Sequence, residues 1–185
     1  GIPNVGGSLE YNPIYNNNPL LNVACIGIVK KNNIIYGNAL NEGSLLVYVG
    51  SKTGNDGIGG AYMASNSFTK ESDLDALQKN IQKGDPFLEK LLLEACMEIS
   101  NKQLAEGMQD MGAGGLLCAS LEVIQRGIVK TNKKLGCEMY LHKIPTKDNI
   151  SLCDSLISES QERMLLVVQP NNVSKVFSIF DKWDL

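Results

Sequence analysis

At 185 residues with a 43% hydrophobic share, the chain is sized for one full domain with part of another. A net charge of −3 argues against a basic nucleic-acid surface, and no run approaches the ~18 apolar residues of a membrane-spanning helix. No signal peptide is expected before the first turn. Five cysteines, Cys25, Cys96, Cys118, Cys137 and Cys153, are widely spaced and form no C-x-x-C pair, which predicts reduced, mostly buried thiols of a cytosolic protein. The single histidine, His142, argues against a His-based metal cluster and against two-histidine catalysis. The first residue is Gly1 rather than Met, so a fragment or a processed product is expected.

Residues 1–11 read as an extended segment entered in mid-fold, and 12–19, rich in Asn and Pro, as a loop. Residues 20–30 have strand composition. Lys31-Asn32-Asn33 reads as a turn and 34–36 as a short return strand. No helix follows to cover these strands, and two strands alone do not close a core. Residues 1–40 are therefore read as the closing strands of another domain. Residues 45–49 form a continuous apolar strand. The glycine-dense loop 50–60 resembles a phosphate cradle in composition, but no Gly-Lys-Ser/Thr ends it. A ligand loop and a plain flexible loop both remain open there. Residues 61–83 are a polar connection. Asp85 then suits an N-cap and Pro86 the first helical turn, with Leu88, Leu92, Ala95, Cys96 and Ile99 on the buried face.

Residues 107–115, Gly-Met-Gln-Asp-Met-Gly-Ala-Gly-Gly, read as strand, tight turn and helix start. Glycines at 112, 114 and 115 let backbone N–H groups approach a ligand at a helix N-terminus. One acid beside them, Asp110, suits a Mg2+ that bridges to phosphate. The plainer alternative makes Asp110 the helix N-cap. The helix would bury Leu117, Leu121 and Ile124 and end at Gly127. Residues 137–144 alternate as a half-buried strand that Pro145 ends, and Ser151 caps a short helix through Ile157. Ser158-Glu159-Ser160-Gln161-Glu162-Arg163 stands directly before the buried strand 164–168. Polar groups so placed are costly unless they are paired or bind something. Val173, Val176, Phe177, Phe180 and Trp183 mark a last amphipathic helix. Strands and helices alternate from Leu45 onward, which predicts a mixed sheet covered by helices.

Five stretches occur in one collinear order: Gly1-Ile2-Pro3-Asn4-Val5-Gly6-Gly7, Gly54-Asn55-Asp56-Gly57-Ile58-Gly59-Gly60-Ala61, Gln82-Lys83-Gly84-Asp85-Pro86-Phe87-Leu88-Glu89-Lys90, Gln109-Asp110-Met111-Gly112-Ala113-Gly114-Gly115-Leu116 and Ser158-Glu159-Ser160-Gln161-Glu162-Arg163-Met164. Together they resemble the synthetase-subunit family of phosphoribosylformylglycinamidine synthases, within the aminoimidazole ribonucleotide synthetase superfamily. The resemblance implies an α+β, three-layer α/β/α domain with a mixed sheet and partly ferredoxin-like topology over 41–185. Residues 1–40 would close a truncated ATP-binding domain.

It also implies a cytoplasmic ATP-dependent ligase of purine biosynthesis. That enzyme turns formylglycinamide ribonucleotide, ATP and glutamine-derived ammonia into the amidine, ADP and phosphate. A glutaminase subunit or domain and a small accessory subunit are the implied partners. Position by position, Asp110 resembles the Mg2+ ligand, and Gln82, Glu159, Ser160 and Gln161 resemble substrate contacts. No catalytic residue is implied within this chain. The catalytic His, the ATP-binding Lys, the other metal-binding acids and the pseudo-symmetric second half of the family enzyme have no counterpart here, so the chain is expected to be inactive alone. Two rival readings stand beside this one. One is a sibling, such as aminoimidazole ribonucleotide synthetase, selenophosphate synthetase or thiamine-phosphate kinase. The other is a non-catalytic assembly module. The run from Glu159 to Arg163 favours the first family over its siblings.

Overall fold

The computed structural model describes residues 2–16, 19–60, 81–147 and 149–185. The fold is built on strand β3, Arg163–Val168, whose apolar run suits burial on both faces. Leu165, Leu166, Val167 and Val168 are each at most 1% exposed. Strand β1, Leu45–Gly50, pairs antiparallel with β3 on one side, with Val47 opposite Leu166. Strand β2, Gly107–Asp110, pairs antiparallel on the other, with Asp110 opposite Met164. The order is β1-β3-β2, so β1 and β2 run the same way with β3 between them. Helix α1, Pro86–Asn101, lies on the crossover that joins them. That is a split β-α-β unit, the ferredoxin-like part of the topology.

Alternation along β3 divides the core into two. Leu166 and Val168 pack with Leu92, Ala95 and Ile99 of α1 and with Val176, Ile179 and Phe180 of helix α4, Val173–Lys182. Leu165 and Val167 pack on the other face with Leu116, Ala119, Val123 and Ile124 of helix α2, Gly115–Thr131. Each fully buried Val or Leu contributes roughly 1.5–3 kcal/mol relative to exposure. Helix α3, Leu152–Ile157, lies against α2 and is capped by Ser151, whose hydroxyl accepts the Asp154 N–H. The result is an α+β domain in three layers, α/β/α. The three strands pair antiparallel, and among the described residues parallel pairing is confined to an isolated bridge between Thr53 and Thr146. Among the described residues no helix is long and apolar enough to cross a membrane.

Several sequence expectations are corrected. Residues 20–30 form no strand; Leu21, Val23, Ile26 and Ile28 are each at least 85% exposed. A strand needs a hydrogen-bonding neighbour, and no strand pairs with this segment among the described residues. The expected return at 34–36 is likewise no strand; it adds one backbone bond to β2, from Met108 N–H to the Tyr36 carbonyl. Residues 137–144 are coil closing in a 3-10 turn, Leu141–Lys143, which carries His142. Leu135, Met139 and Ile144 reach the second core at spacings of four and five, not two. Strand-like pairing begins only at Pro145, whose carbonyl accepts the Thr53 N–H, and continues where Lys147 N–H meets the Thr53 carbonyl. Four of the five cysteines are exposed, and only Cys96 is partly buried, where burial pushes its thiol up to about 12. The polar stretch 61–83 falls outside the described residues over 61–80.

Helix α2 passes through Gly127 and ends at Thr131. Gly127 serves close approach instead of termination: a Cβ there would lie 1.8 Å from the Ala39 carbonyl oxygen. Leu121 is 56% exposed, and the buried face of α2 is Leu116, Ala119, Ser120, Val123 and Ile124.

Glu98 ties α1 to α4. Its carboxylate accepts Lys102 Nζ at 2.7 Å, Lys182 Nζ at 2.8 Å and Trp183 Nε1 at 3.1 Å. These bonds, that of Lys102 first, hold the carboxyl at about 2 against an ordinary 4.5. The folded value lies below the unfolded one, so the contribution is complete above pH 4.5 and fades as pH falls toward 2. The urea midpoint of Glu98→Gln is expected to fall below wild type at pH 7, with the gap narrowing by pH 2.5. An equal gap at both pH values would show that the charge contributes nothing.

Candidate functional site

The polar run before β3 is folded inward. Ser158, Ser160, Glu159 and Arg163 are each at most 4% exposed. Arg163 organises the turn. Its Nε donates to the Ser160 carbonyl at 2.6 Å, Nη2 to the Ser158 carbonyl at 2.5 Å and Nη1 to Thr53 Oγ1 at 3.0 Å. Burial pulls the guanidinium below its usual range, opposed by Tyr48, Asp56 and Glu159. The Ser160 hydroxyl donates to Asp56 Oδ1 at 2.8 Å and accepts the Gly54 N–H at 3.0 Å. The Ser158 hydroxyl donates to the Gly54 carbonyl at 2.7 Å. The glycine-rich loop is thereby fastened to the run before β3. Gly57 makes this contact tight: its φ is +75°, and a Cβ there would lie 3.0 Å from both Gln82 Cγ and Glu159 Cβ.

Three of the four expected substrate contacts are joined directly. Glu159 Oε2 accepts Gln82 Nε2 at 3.2 Å, and Gln82 Oε1 accepts Gln161 Nε2 at 2.7 Å. Gln161 Nε2 also donates to the Glu159 carbonyl at 3.2 Å. A carboxylate oxygen here can only accept, so it fixes the Gln82 amide with nitrogen inward, and that in turn fixes the Gln161 amide. The fourth, Ser160, contributes a buried hydroxyl already engaged by Asp56 and Gly54.

At the glycine turn, Glu159 Oε1 accepts the Gly114 N–H at 3.1 Å. The amide expected to meet a ligand therefore meets the chain's own carboxylate. The positive end of α2 favours a negative charge in that place. Asp110 is not the N-cap. That position is Gly114, which gives no side-chain cap. Asp110 sits at the exposed end of β2, with Oδ1 accepting Gln109 Nε2 at 3.1 Å. It lines a groove of about 550 Å3 together with Gly112, Gln161 and Glu162, and α1 supplies much of the apolar wall. Gln82, Glu159 and Ser160 do not line this groove. Among the described residues no group of three or more His, Cys, Asp or Glu forms a metal cage. Asp110 thus offers Mg2+ a single carboxylate, which fits an ion that takes one or two carboxylates and completes its shell with water and phosphate oxygens.

Sequence reasoning gave Asp56 and Thr53 no part in the site, and it named Arg163 only as the last residue of a polar run in need of partners. The signal present was a charged residue opening a fully apolar strand: an Arg there requires acceptors within the fold.

A model of the family described as "AIR synthase related protein, C-terminal domain" matches residues 41–185. The chain is 45% identical along its whole length to phosphoribosylformylglycinamidine synthase subunit PurL of Nitratiruptor sp., and 44% identical to that of Helicobacter hepaticus. It spans 24% of each relative's length. Among solved structures it resembles T. maritima PurL complexed with FGAR, at 37% identity and a TM-score of 0.74, over 84% of this chain and 24% of that one. It also resembles T. maritima PurL complexed with ATP, at 35% identity and a TM-score of 0.65, over 84% of this chain and 22% of that one. The family match takes in the first core cluster, all of the second but Ala39, the glycine-rich loop, the Asp110 turn and the run before β3, and the chain belongs to the family of AIR synthase related proteins through their C-terminal domain.

Proposed function

We propose that this chain is part of a phosphoribosylformylglycinamidine synthase, to which it contributes substrate and Mg2+ contacts. The whole enzyme would be an ATP-dependent carbon–nitrogen ligase. It would convert formylglycinamide ribonucleotide, ATP and glutamine-derived ammonia into formylglycinamidine ribonucleotide, ADP and phosphate, in the cytoplasm, with a glutaminase and a small accessory subunit. The observation that carries this reading is the hydrogen-bonding of Gln82 to Glu159 and Gln161, which lie 77 and 79 positions further along the chain. It is supported by 37% identity to a PurL solved with FGAR.

In this mechanism Gln82 and Gln161 offer the substrate oriented amides, and Glu159 keeps both amides in one orientation. Ser160 acts from behind, as part of the turn that presents them. Asp110 would hold Mg2+, which supplies charge neutralisation for phosphoryl transfer when bound. Residues 1–40 would complete the sheet of a neighbouring ATP-binding domain, consistent with the exposed apolar side chains between Ile2 and Tyr36, while Asn38 and Ala39 at the end of the stretch are buried against this domain.

The expected result is that the purified chain forms no amidine from formylglycinamide ribonucleotide, ATP and ammonia, whereas the same chain within its full-length protein does. Turnover by the chain alone would refute its dependence on the rest of the enzyme. Failure of the full-length protein to use this substrate would refute the assigned reaction.

A further inference from the structure

The glycine-rich loop has no assigned part in this function, yet it holds a half-buried acid, Asp56, one of whose carboxylate oxygens is fully buried. Asp56 Oδ1 accepts the Ser160 hydroxyl at 2.8 Å, while Oδ2 is buried with no hydrogen-bond partner among the described residues. A buried carboxylate oxygen without a donor is costly, so the one hydrogen bond that the Asp56 side chain makes among the described residues carries weight. That bond commits the Ser160 hydrogen. It leaves the hydroxyl's lone pairs for the Gly54 N–H at 3.0 Å, with the Ser158 hydroxyl at 3.2 Å. Ser160 is flanked by the two residues that hold the Gln82 amide at its opposite ends. A rotation of the Ser160 backbone would move Glu159 and Gln161 together and release both bonds.

Resting on the function proposed above, we propose that Asp56 is a positioning residue for substrate binding. Through the Ser160 hydroxyl it locks the turn on which Glu159 and Gln161 orient Gln82. Asp56 acts through this turn and makes no contact of its own with the substrate.

The test uses the full-length protein and four variants: Asp56→Ala, Ser160→Ala, the double variant and Asp56→Asn. Calorimetry measures Kd for formylglycinamide ribonucleotide and, separately, for ATP. Asp56→Ala and Ser160→Ala are each expected to weaken ribonucleotide binding at least tenfold and to leave ATP binding within twofold. The double variant should be no worse than either single one, since both remove the same bond. Asp56→Asn retains an acceptor for the hydroxyl and should stay within threefold of wild type. Hydrogen exchange at the Gly114 amide, which Glu159 accepts, should quicken in both alanine variants and not in Asp56→Asn.

Ribonucleotide affinity within twofold of wild type in both alanine variants would overturn the proposal. So would additive losses, or a parallel fall in ATP affinity. If Asp56→Ala does not fold, Ser160→Ala, which removes one oxygen, carries the same test. If the wild-type protein does not bind the ribonucleotide at all, the functional reading fails. The exchange arm then still decides whether Asp56 locks the turn.

Discussion

Arg163→Met is expected to cost the fold about 3–5 kcal/mol, the range for deleting one partner of a buried charged network. The Met side chain replaces most of the aliphatic stem, so the loss is one of donors more than of volume. The carbonyls of Ser158 and Ser160, and Thr53 Oγ1, lose their guanidinium bonds in a region at most 4% exposed. Each buried acceptor left without a donor costs about 1–3 kcal/mol. Arg163→Lys should recover only part of this, because one ammonium does not span three acceptors held by a planar fork. Arg126 gives the contrast. Its ion pair with Glu122 joins two half-exposed side chains on the surface of α2, and Arg126→Ala should cost less than about 1 kcal/mol. Urea midpoints of the three variants check the order. A loss below about 1 kcal/mol for Arg163→Met would mean that the turn finds other donors.

The sheet and its helices were legible where burial and period agree. The run 164–168 has no polar residue to face solvent, and the structure covers it on both faces. Asp85 and Pro86 mark a helix start by chemistry local to the chain, and the Asp85 carboxylate does accept the N–H groups of Phe87 and Leu88. Residues 20–30 show the limit of such reading. Their strand composition is intrinsic, but a strand also needs an edge to pair with, and composition cannot supply one. Residues 137–144 show another limit. Met139 and Ile144, with Leu135 just before them, reach the second core from coil at irregular spacing as readily as an alternating set would from a strand. Gly127 suggested a helix stop because glycine is common there. The sequence holds no local sign that the Ala39 backbone crosses at that point.

The site divides in the same way. Glu159 and Gln161 stand in a polar run before a buried strand, Gln82 stands in a motif that carries the family resemblance, and the fold joins the three. The glycine turn was legible as a cluster of accessible amides, but its occupant was not. Glu159 reaches the Gly114 N–H from 45 positions away, a pairing that no local spacing encodes. Asp56 was hidden for a related reason. In a loop of glycines it reads as one more turn residue until Ser160 is seen against it.

Asp110→Asn separates folding from function at the remaining residue. As an N-cap, Asp110 would lose ~0.5–2 kcal/mol of stability on truncation, but the cap of α2 is Gly114, and among the described residues the Asp110 side chain hydrogen-bonds only Gln109, at 3.1 Å. The asparagine keeps the shape and an acceptor for Gln109. Its melting temperature should therefore stay within about 1 °C of wild type, the shift of a change well under 1 kcal/mol. What the variant lacks is the negative charge at the mouth of the groove that Gln161 also lines. Charge stabilisation by a bound metal is worth several kcal/mol, so turnover in the full-length enzyme should fall by roughly 100-fold or more. A second readout does not depend on turnover. Mg2+ with ATP should raise the wild-type melting temperature, and half of that rise should require a higher Mg2+ concentration in the variant, because one carboxylate of a sparse ligand set has been neutralised. Wild-type turnover with an unchanged Mg2+ requirement would return Asp110 to the role of an exposed strand-end residue. A lowered melting temperature with activity intact per folded molecule would instead place its contribution in the turn between β2 and α2.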